Sequence, residues 1–426
     1  MWPASYSPAR RQSMVRSGGS HCETIDRRYV SWQLLSPNIY DYEDSSMKKL
    51  RGALVGYGFI MERGHAAGYR ERATSSDDVE IVAVADVSEE RRELARRHFP
   101  GVRVYADYQA LLAAEHANLD FCDVATPPSD HAEVAHAALD RGLHVLCEKP
   151  LATSIEDARS MLRHAAEAER VLYPCHNYKH APVIKTVRGV IDSGRIGKVH
   201  LVTLQTFRNT HAKGVNEWRA DWRRERRYSG GGIAMDHGSH TFYLAFEWLR
   251  SYPTAITARA ATLGPFDTED DFTCSLKFPT GVASAHLTWN AGVRKVLYTI
   301  HGERGAIRVE DDAIEVATQV MGPGGVVNWS FDREEISSDW MDSSHVTWFN
   351  SLFDDFKGAI ARREFVGKEA QESFLCVQLI ATGYASARDG SRELALPGLA
   401  ALQGDDVTDR LAQKSRAANA TLDASR

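Results

Sequence analysis

Short apolar runs alternate with helix-like segments from residue 50 onward. Residues 53–55 and 80–85 are continuous apolar runs, and each is followed by glycine or by polar residues. Residues 131–139 place apolar side chains at helical spacing, Gly142 follows them, and residues 144–147 form the next apolar run. Strands that alternate with helices in this way are typical of a parallel sheet with crossover helices. The pattern therefore predicts an α/β domain in the first half of the chain.

The second half of the chain has a different pattern, in which glycine and proline separate strand-like segments. Pro279-Thr280-Gly281 marks a hairpin turn between two of them. Helical periodicity is found at 233–248 and returns at 348–362 and 369–388. The predicted strands of this half are residues 199–207, 254–263, 271–278, 282–289, 296–302 and 306–310. This half is therefore expected to be built on a sheet.

The two ends of the chain differ from this middle part. Residues 1–46 are rich in Ser, Arg, Tyr and Pro and have no regular period, so we expect a disordered extension or a native start at Met47. They contain no apolar stretch of the kind that a secretory signal needs. A chain of 426 residues suggests two domains. The predicted division is a dinucleotide-binding domain at 47–170, a substrate and oligomerisation domain at 171–396, and a flexible tail at 397–426.

Composition excludes several classes of protein. A net charge of −6 argues against nucleic acid as the main partner. No apolar run approaches the length of about 18 residues that a membrane span needs, so no membrane partner is expected. The six cysteines are scattered without metal-ligand spacing. We interpret them as buried thiols of a cytoplasmic protein.

The loop after the first strand contains the beginning of a dinucleotide-binding fingerprint. Gly56 permits a tight turn, and Gly58 lets the backbone approach a pyrophosphate at a helix N-terminus. Phe59 and Ile60 continue this loop, and Met61 occupies the place of the usual third glycine. An isolated G-x-G also fits a plain strand–turn–helix connection, so its context decides between the two interpretations.

That context includes an acidic residue at the end of the second predicted strand. Asp86 is placed to accept hydrogen bonds from the ribose hydroxyls of NAD and to repel the 2′-phosphate of NADP. We therefore favour NAD, while the nearby Arg91 and Arg92 leave NADP open. The alternative is that Asp86 only caps the helix that begins at Ser88.

A third and a fourth motif carry candidate catalytic chemistry. The strand at 144–147 ends in Glu148-Lys149-Pro150, at the sheet edge where ligands bind in open parallel sheets. Asp236 and His240 follow three glycines and are four residues apart, so a helix would place both on one face. Taken alone, such a pair is more often a helix cap and a core histidine. Together with the nucleotide motifs, it predicts an acid–base pair.

These motifs resemble those of the glucose–fructose oxidoreductase, inositol dehydrogenase and MocA (Gfo/Idh/MocA) family. The resemblance covers about residues 50–395 and rests on four motifs. They are Gly56-x-Gly58, Ala125-Thr126-Pro127-Pro128 with His131, Glu148-Lys149-Pro150, and Gly230-Gly231-Gly232 with Asp236-x-x-x-His240. The chain departs from the family at Asn177-Tyr178-Lys179-His180-Ala181-Pro182, where many members have Asn-x-Arg-Phe-x-Pro.

The resemblance implies a Rossmann domain followed by an α+β domain with a large, open, mostly antiparallel sheet. In the family that sheet commonly forms the dimer face, so a homodimer or homotetramer is expected. It also implies a cis Lys149–Pro150 bond and a catalytic set of Lys149, Asp236 and His240. The implied cofactor-binding residues are Gly56, Gly58, Phe59, Ile60, Asp86, Thr126, Pro127, Pro128, His131, Glu148 and Lys149.

We assign provisional roles to these groups from the needs of alcohol oxidation. His240 acts as the general base, Asp236 orients His240 and accepts a substrate hydroxyl, and Lys149 polarises the substrate oxygen. Glu148 is expected to position the ribose or nicotinamide of the cofactor. The predicted substrate-binding residues are Asn177, Lys179, Arg208, Asp236 and His240.

Two further features leave alternatives open. Five arginines between Arg219 and Arg227 are interleaved with aromatic residues, which predicts either a solvated face or a grip on an anionic substrate group. His237, His240 and His211 lack convincing metal-ligand spacing, so no metal is expected.

The leading functional hypothesis is an NAD(P)-dependent dehydrogenase that oxidises a secondary hydroxyl of a sugar, a cyclitol or a sugar derivative. The second is a glycoside hydrolase or lyase that oxidises its substrate only transiently and regenerates the cofactor. The third is a catalytically inactive nucleotide-sensing or scaffold protein. The retained Lys149, Asp236 and His240 count against the third hypothesis.

Overall fold

The structure is a computed structural model that describes residues 49–337 and 345–402. The predictions for residues 1–46, and for the tail beyond residue 402, lie outside the described residues.

The first sheet contains six parallel strands in the order β3-β2-β1-β4-β5-β6. This is the strand order of the Rossmann fold, with the switch point between β1 and β4. Strand β6 extends the sheet past the predicted domain boundary at residue 170. The strands are β1 (Leu50–Val55), β2 (Val79–Ala85), β3 (Arg103–Tyr105), β4 (Phe121–Val124), β5 (His144–Cys147) and β6 (Leu172–Pro174).

The helices between these strands begin where the local sequence supplies an N-cap. The side chains of Ser88, Asp107 and Ser154 accept hydrogen bonds from the first-turn amides of α2, α3 and α5. The helix after β1 starts differently, with a π-helical turn at Met61–His65. The helices are α1 (Ala66–Ser75), α2 (Glu89–His98), α3 (Tyr108–Glu115), α4 (His131–Asp140) and α5 (Ile155–Glu167). The predicted alternation of strands and helices is confirmed.

The second sheet has nine strands in the order β14-β13-β12-β11-β7-β10-β9-β8-β15. Only the β7–β10 pair is parallel, so the sheet is mostly antiparallel, as predicted. The strands are β7 (Val199–Phe207), β8 (Ala255–Ala261), β9 (Asp271–Phe278), β10 (Gly281–Thr288), β11 (Lys295–Gly302), β12 (Gly305–Glu310), β13 (Ala313–Met321), β14 (Val327–Glu335) and β15 (Leu394–Ala395).

One face of this sheet is covered by helices and the other is open. Burial alternates along β9, since its inward side chains pack beneath α8 and α10. Strands β13 and β14 were not predicted, and β14 is exposed along nearly its whole length. The remaining helices are α6 (Pro182–Asp192), α7 (Arg226–Ser229), α8 (Ile233–Leu249), α9 (Val346–Ala361) and α10 (Lys368–Arg388).

The described cysteines are all buried and form no disulfide. None of the helices in the described part of the chain is both long and apolar enough to cross a membrane.

Candidate active site

One cleft of about 960 Å³ joins the carboxyl edge of the first sheet to the second half of the chain. Its walls include the loop after β1, the ends of β2 and β5, and the first turns of α8. Residues predicted independently from separate motifs therefore line a single space. Among them are Gly56, Asp86, Lys149, Asp236 and His240.

The loop after β1 passes very close to the loop after β4. Gly56 has φ +86°, and a Cβ there would lie 2.8 Å from both the carbonyl oxygen of Ala125 and the amide nitrogen of Thr126. Only glycine fits this position without displacing the backbone. A Cβ at Gly58 would meet no atom within 4 Å, so its backbone faces open space. Phe59 and Ile60 also line the cleft here.

Asp86 fastens this glycine loop to the end of β2. Its Oδ2 accepts a hydrogen bond from the Tyr57 amide (2.6 Å), and its Oδ1 accepts one from the Ser88 amide (2.8 Å). The cap of α2 is the Ser88 side chain, so the role of Asp86 is wider than that of a helix cap. Burial raises the pKa of Asp86.

Arg91 and Arg92, which could have bound the 2′-phosphate of NADP, form hydrogen bonds with other parts of the protein. Arg91 donates to the carbonyl oxygen of Tyr57 (2.7 Å) and to Glu62 (2.6 Å). Arg92 donates to the backbone carbonyl of Asp86 (2.7 Å) and pairs with Glu89. Neither is among the described residues that line the cleft. These contacts favour NAD over NADP.

His131 lies beneath the cleft and does not line it. The ring is fully buried, with Nδ1 2.9 Å from the carbonyl oxygen of Pro150 and Nε2 2.9 Å from that of Thr126. Its position does not fit the predicted contact with a cofactor, because both ring nitrogens are occupied by backbone. His131 instead links the loop after β4 to the turn at Pro150. The other predicted residues of the loop after β4, Thr126, Pro127 and Pro128, do line the cleft.

The Lys149–Pro150 peptide bond is cis, as predicted. Lys149 Nζ donates to the backbone carbonyl of Asp236 (2.9 Å) and lies 3.7 Å from Asp236 Oδ1. The start of α8 can reach this place because Gly232 lies against the backbone of Glu269, where a Cβ would be 1.8 Å from the carbonyl oxygen. The glycines before Asp236 thus permit a close approach that a larger residue would block.

Asp236 is surrounded by positive charge and imidazole. Arg223 Nε donates to its Oδ1 (3.3 Å), and His237 Nε2 lies 3.6 Å from its Oδ2. Burial opposes ionisation, but Arg223, His237 and Lys149 hold the pKa of Asp236 well below its usual range. Burial lowers the pKa of His237 to about 3, despite the opposing effect of Asp236. At neutral pH the site therefore holds an ionised Asp236 and a neutral His237.

His240 has a different orienting partner from the one predicted. Its Nδ1 lies 2.7 Å from Tyr243 Oη, and its ring stacks on Tyr178 with centroids 3.8 Å apart. Tyr243 Oη also accepts the amide hydrogen of Tyr178 (3.2 Å). The prediction that Asp236 orients His240 is thus wrong, because the Asp236 carboxylate instead accepts from Arg223 and lies near Lys149. Burial, and after it Lys149, lowers the pKa of His240 well below its ordinary value.

A buried charged network lies behind Glu148. His65 Nδ1 lies 2.9 Å from Asp123 Oδ2, and His65 Nε2 lies 3.1 Å from Glu148 Oε1. Burial opposes the charged imidazole, but Asp123 and Glu148 raise the pKa of His65 to about 10. The charged His65 in turn lowers the pKa of Glu148 against the effect of burial. Sequence reasoning missed His65 and Asp123, since neither belongs to a motif and the π-helical turn brings His65 inward.

Lys179 is not placed to contact a substrate in this cleft. Its Nζ donates to both oxygens of Glu369 (2.8 and 2.7 Å) and to Glu372 Oε2 (2.6 Å). The side chain is buried, and these carboxylates use all of its donors. The predicted substrate role therefore does not fit its position. Asn177 and Arg208, the other predicted substrate residues, do line the cleft.

The arginine run proves to be neither one solvated face nor one anion site. Arg224 is buried and pairs with Asp270, whereas Arg219 and Arg227 pair with Glu225 near the surface. Within this run only Arg223 lines the cleft, beside Trp218 and Trp222. The alternation of aromatic and basic residues was the only signal that could have indicated Arg223.

Comparison with known proteins agrees with this geometry. Residues 50–176 match the model of the Gfo/Idh/MocA oxidoreductase family with its NAD-binding Rossmann fold. Residues 184–308 match the C-terminal domain model of the same family. The chain belongs to this oxidoreductase family.

Relatives of this Gfo/Idh/MocA protein include named sugar and cyclitol dehydrogenases. Levoglucosan dehydrogenase of Pseudarthrobacter phenanthrenivorans is 26% identical over 61% of this chain and 73% of its own length. Inositol 2-dehydrogenase of Rhizobium meliloti is 29% identical over 63% of this chain and 79% of its own length. A structure of levoglucosan dehydrogenase with NADH and L-sorbose has a TM-score of 0.71 at 21% identity, covering 82% of this chain and all of that one. Some relatives are matched over much less of their length, down to 39%.

The residues of this Gfo/Idh/MocA oxidoreductase fit NAD, its cofactor. The open backbone at Gly58 and the close approach at Gly56 form a cradle that a Cβ at Gly56 would fill. The Thr126 hydroxyl beside this cradle is buried and has no partner among the described residues. Glycine backbone, an unpaired hydroxyl donor and a carboxylate at the end of β2 are the groups that a dinucleotide requires.

Proposed function

We propose that this protein is an NAD-dependent dehydrogenase that oxidises a secondary hydroxyl group of a sugar, a cyclitol or a related derivative. The observation that carries the proposal is the convergence of Lys149, Asp236 and His240 in the cleft that also contains the glycine loop. The names of its relatives, levoglucosan dehydrogenase and inositol 2-dehydrogenase, support this class of substrate.

His240 is the proposed general base. Burial keeps its imidazole neutral, and Tyr243 Oη lies 2.7 Å from Nδ1. When the protonated Nδ1 donates a hydrogen bond to Tyr243 Oη, Nε2 carries no hydrogen. Nε2 can then accept the proton of a substrate hydroxyl. The stack on Tyr178 holds the ring in this orientation.

Lys149 is proposed to stabilise the oxygen from which the proton leaves. Its ammonium is held by the carbonyl oxygen of Asp236 at 2.9 Å, which leaves two donors for other partners. A fixed positive charge beside a developing alkoxide is effective in a site that excludes water. The ionised Asp236 is proposed to accept a hydrogen bond from a second substrate hydroxyl.

NAD bound at the glycine loop would supply the acceptor for the hydride of the carbinol carbon. Asp86, at the end of β2, is proposed to accept hydrogen bonds from the ribose, with Thr126, Pro127 and Pro128 as the facing wall. Glu148, held ionised by His65, is proposed to position the nicotinamide end.

The test is the absorbance of reduced nicotinamide after mixing protein, NAD or NADP, and a panel of cyclitols, aldoses and sugar acids. We expect net NADH formation with at least one compound and a preference for NAD. Bond cleavage without net NADH would instead support the hydrolase or lyase hypothesis, which no observation on the relatives favours. The absence of both would contradict the enzyme proposal.

We also propose that the protein forms a homo-oligomer through the open face of the second sheet and that it is cytoplasmic. Exposed apolar side chains on that sheet support the first proposal, and the buried free cysteines favour a reducing compartment. Light scattering after gel filtration tests the oligomer, and a mass of a single chain would contradict it. The apolar side chains are Leu201, Val282, Val320, Met321, Val327, Trp329 and Phe331.

A further inference from the structure

The catalytic end of the cleft holds more positive than negative charge. Lys149, Arg208, Arg223 and Arg294 all line it. Asp236 lies 3.3 Å from Arg223 and 3.7 Å from Lys149, so its single charge is shared by those two cations. Within the described ranges, Arg208 forms no ion pair. Among the described residues, the positive charge of Arg208 thus has no carboxylate partner.

Arg208 and Arg294 are neighbours at the ends of adjacent strands. In the antiparallel β7–β11 pair, Phe207 lies opposite Lys295, so the next residues outward are Arg208 and Arg294. The loop that leads to Arg294 is bound to the same place, because the Ala291 amide donates to the Arg208 carbonyl (3.0 Å). The two arginines therefore lie close together along the wall of the cleft.

Arg208 is also deeply buried for a charged side chain. Only 8% of the residue is exposed, and Nη1 donates to the carbonyl oxygen of Phe207 (2.9 Å). Its charge acts on the neighbour of Asp236, since it adds to the effect of burial in lowering the pKa of His237. Burying a charge without a counter-charge is costly, and binding sites are where proteins accept this cost.

We propose that the substrate bears a carboxylate, so that it is a sugar acid, and that Arg208 binds this carboxylate at the end of the cleft nearest His237. The proposal rests on the dehydrogenase function and names its substrate class. A guanidinium pairs with a carboxylate through two parallel hydrogen bonds.

The experiment compares sugars that differ only in the anionic group. D-glucose is paired with D-glucuronate, D-galactose with D-galacturonate, and D-glucose 6-phosphate provides the phosphate. We expect a kcat/KM for the better acid that is at least about tenfold above that of its neutral partner, as a charge-assisted hydrogen bond implies. Equal values, or a preference for the neutral sugar or the phosphate, would overturn the proposal.

Variants of Arg208 test whether this residue binds the carboxylate. Arg208→Met should raise the KM of the uronate by about tenfold or more relative to its effect on the KM of the neutral sugar, because only the acid loses a charged partner. Arg208→Lys should recover part of the loss, since it keeps the charge but not the fork. Arg97→Met, which removes an exposed arginine of α2, is the control. An equal effect of Arg208→Met on acid and neutral sugars would indicate a structural role and overturn the assignment.

A binding titration separates this proposal from the dehydrogenase proposal. D-glucuronate and D-galacturonate are titrated calorimetrically into the full chain saturated with NADH, so that no turnover is needed. Binding that Arg208→Met abolishes, without NADH formation in the first assay, would support the carboxylate site and contradict the dehydrogenase. Oxidation of neutral sugars without binding of either acid would support the dehydrogenase proposal and contradict the carboxylate site. Failure of both acids to bind or react would overturn the carboxylate site.

Discussion

Lys149 and Lys179 each follow a strand at the carboxyl edge of the first sheet, and both are next to carboxylates. Lys149 Nζ lies 3.7 Å from the carboxylate Oδ1 of Asp236 and faces the cleft. Lys179 Nζ lies within 2.8 Å of three carboxylate oxygens, from Glu369 and Glu372, and is buried. The first lysine keeps donors available for a ligand, whereas the second has none left.

The difference shows that a lysine at a ligand-binding edge is not enough to identify a functional group. The carboxylates that saturate Lys179 come from α10, almost two hundred residues further along the chain. Lys179 in effect holds α10 against the turn after β6. Lys149 faces a helix start that brings a backbone carbonyl and a more distant carboxylate. The group of Lys179, Glu369 and Glu372 is expected to contribute stability, whereas Lys149 and Asp236 are expected to contribute chemistry. The following predictions test this division.

The largest expected effect is that of Lys179→Met on stability. It leaves Glu369 and Glu372 buried without their cation, which typically costs about 3–5 kcal/mol. The measurement is the free energy of unfolding in urea. Turnover per folded molecule should change by less than about threefold, because Lys179 does not line the cleft. Lys198→Met, at an exposed lysine, is the control, and an equally small loss in both variants would contradict the structural role.

Lys149→Met should have its main effect on turnover. Loss of a charge aimed at the reacting oxygen is expected to lower kcat by about 10²–10³-fold. NAD affinity, measured by calorimetric titration, should change by less than about threefold, because the glycine loop and Asp86 are untouched. Lys198→Met again serves as the control. Unchanged turnover in Lys149→Met would remove the catalytic assignment.

Tyr243→Phe should have a smaller effect on the same chemistry. It removes the hydroxyl that holds His240 Nδ1, so we expect kcat to fall about tenfold while the KM of the substrate stays within about twofold. The pH profile of kcat should also change, which a purely structural role would not produce. Tyr252→Phe makes the same chemical change outside the cleft, where the hydroxyl contacts Glu372 at 3.3 Å. Equal kcat values in the two variants would argue against the orienting role.

The smallest expected effect is the pH dependence of the stabilisation that Lys179 provides through Glu369 and Glu372. Lys179, followed by His176, holds the pKa of Glu369 below its ordinary value against burial. A depressed carboxyl pKa stabilises the fold fully above the unfolded-state pKa of about 4.3, and this stabilisation is lost as the pH falls from there through the lower folded-state pKa. The stability gap between the original protein and Lys179→Met should therefore narrow by about 1 kcal/mol between pH 7 and pH 3. Urea unfolding at both pH values measures this difference in the free energy of unfolding. A constant difference would contradict the claim that Lys179 lowers the pKa of Glu369.

Much of the fold was predictable because its signals are local. The apolar runs at 53–55, 80–85 and 144–147 fall within β1, β2 and β5, and the run at 271–278 coincides with β9. The glycine loop, Asp86 and Lys149 were found from motifs whose spacing reflects a backbone requirement. Strands β13 and β14 were missed, although Val327, Trp329 and Phe331 alternate with polar residues along β14.

The sequence by itself determined which residues are able to perform chemistry and which elements carry them. Glycine at 56, proline after Lys149 and the period of α8 express constraints that act within a few residues of chain. The tertiary structure alone decided the partners: Tyr243 rather than Asp236 for His240, backbone carbonyls for His131, and α10 carboxylates for Lys179. Such pairings depend on distances between residues far apart in the chain, and those distances arise only when the two sheets and their helices pack.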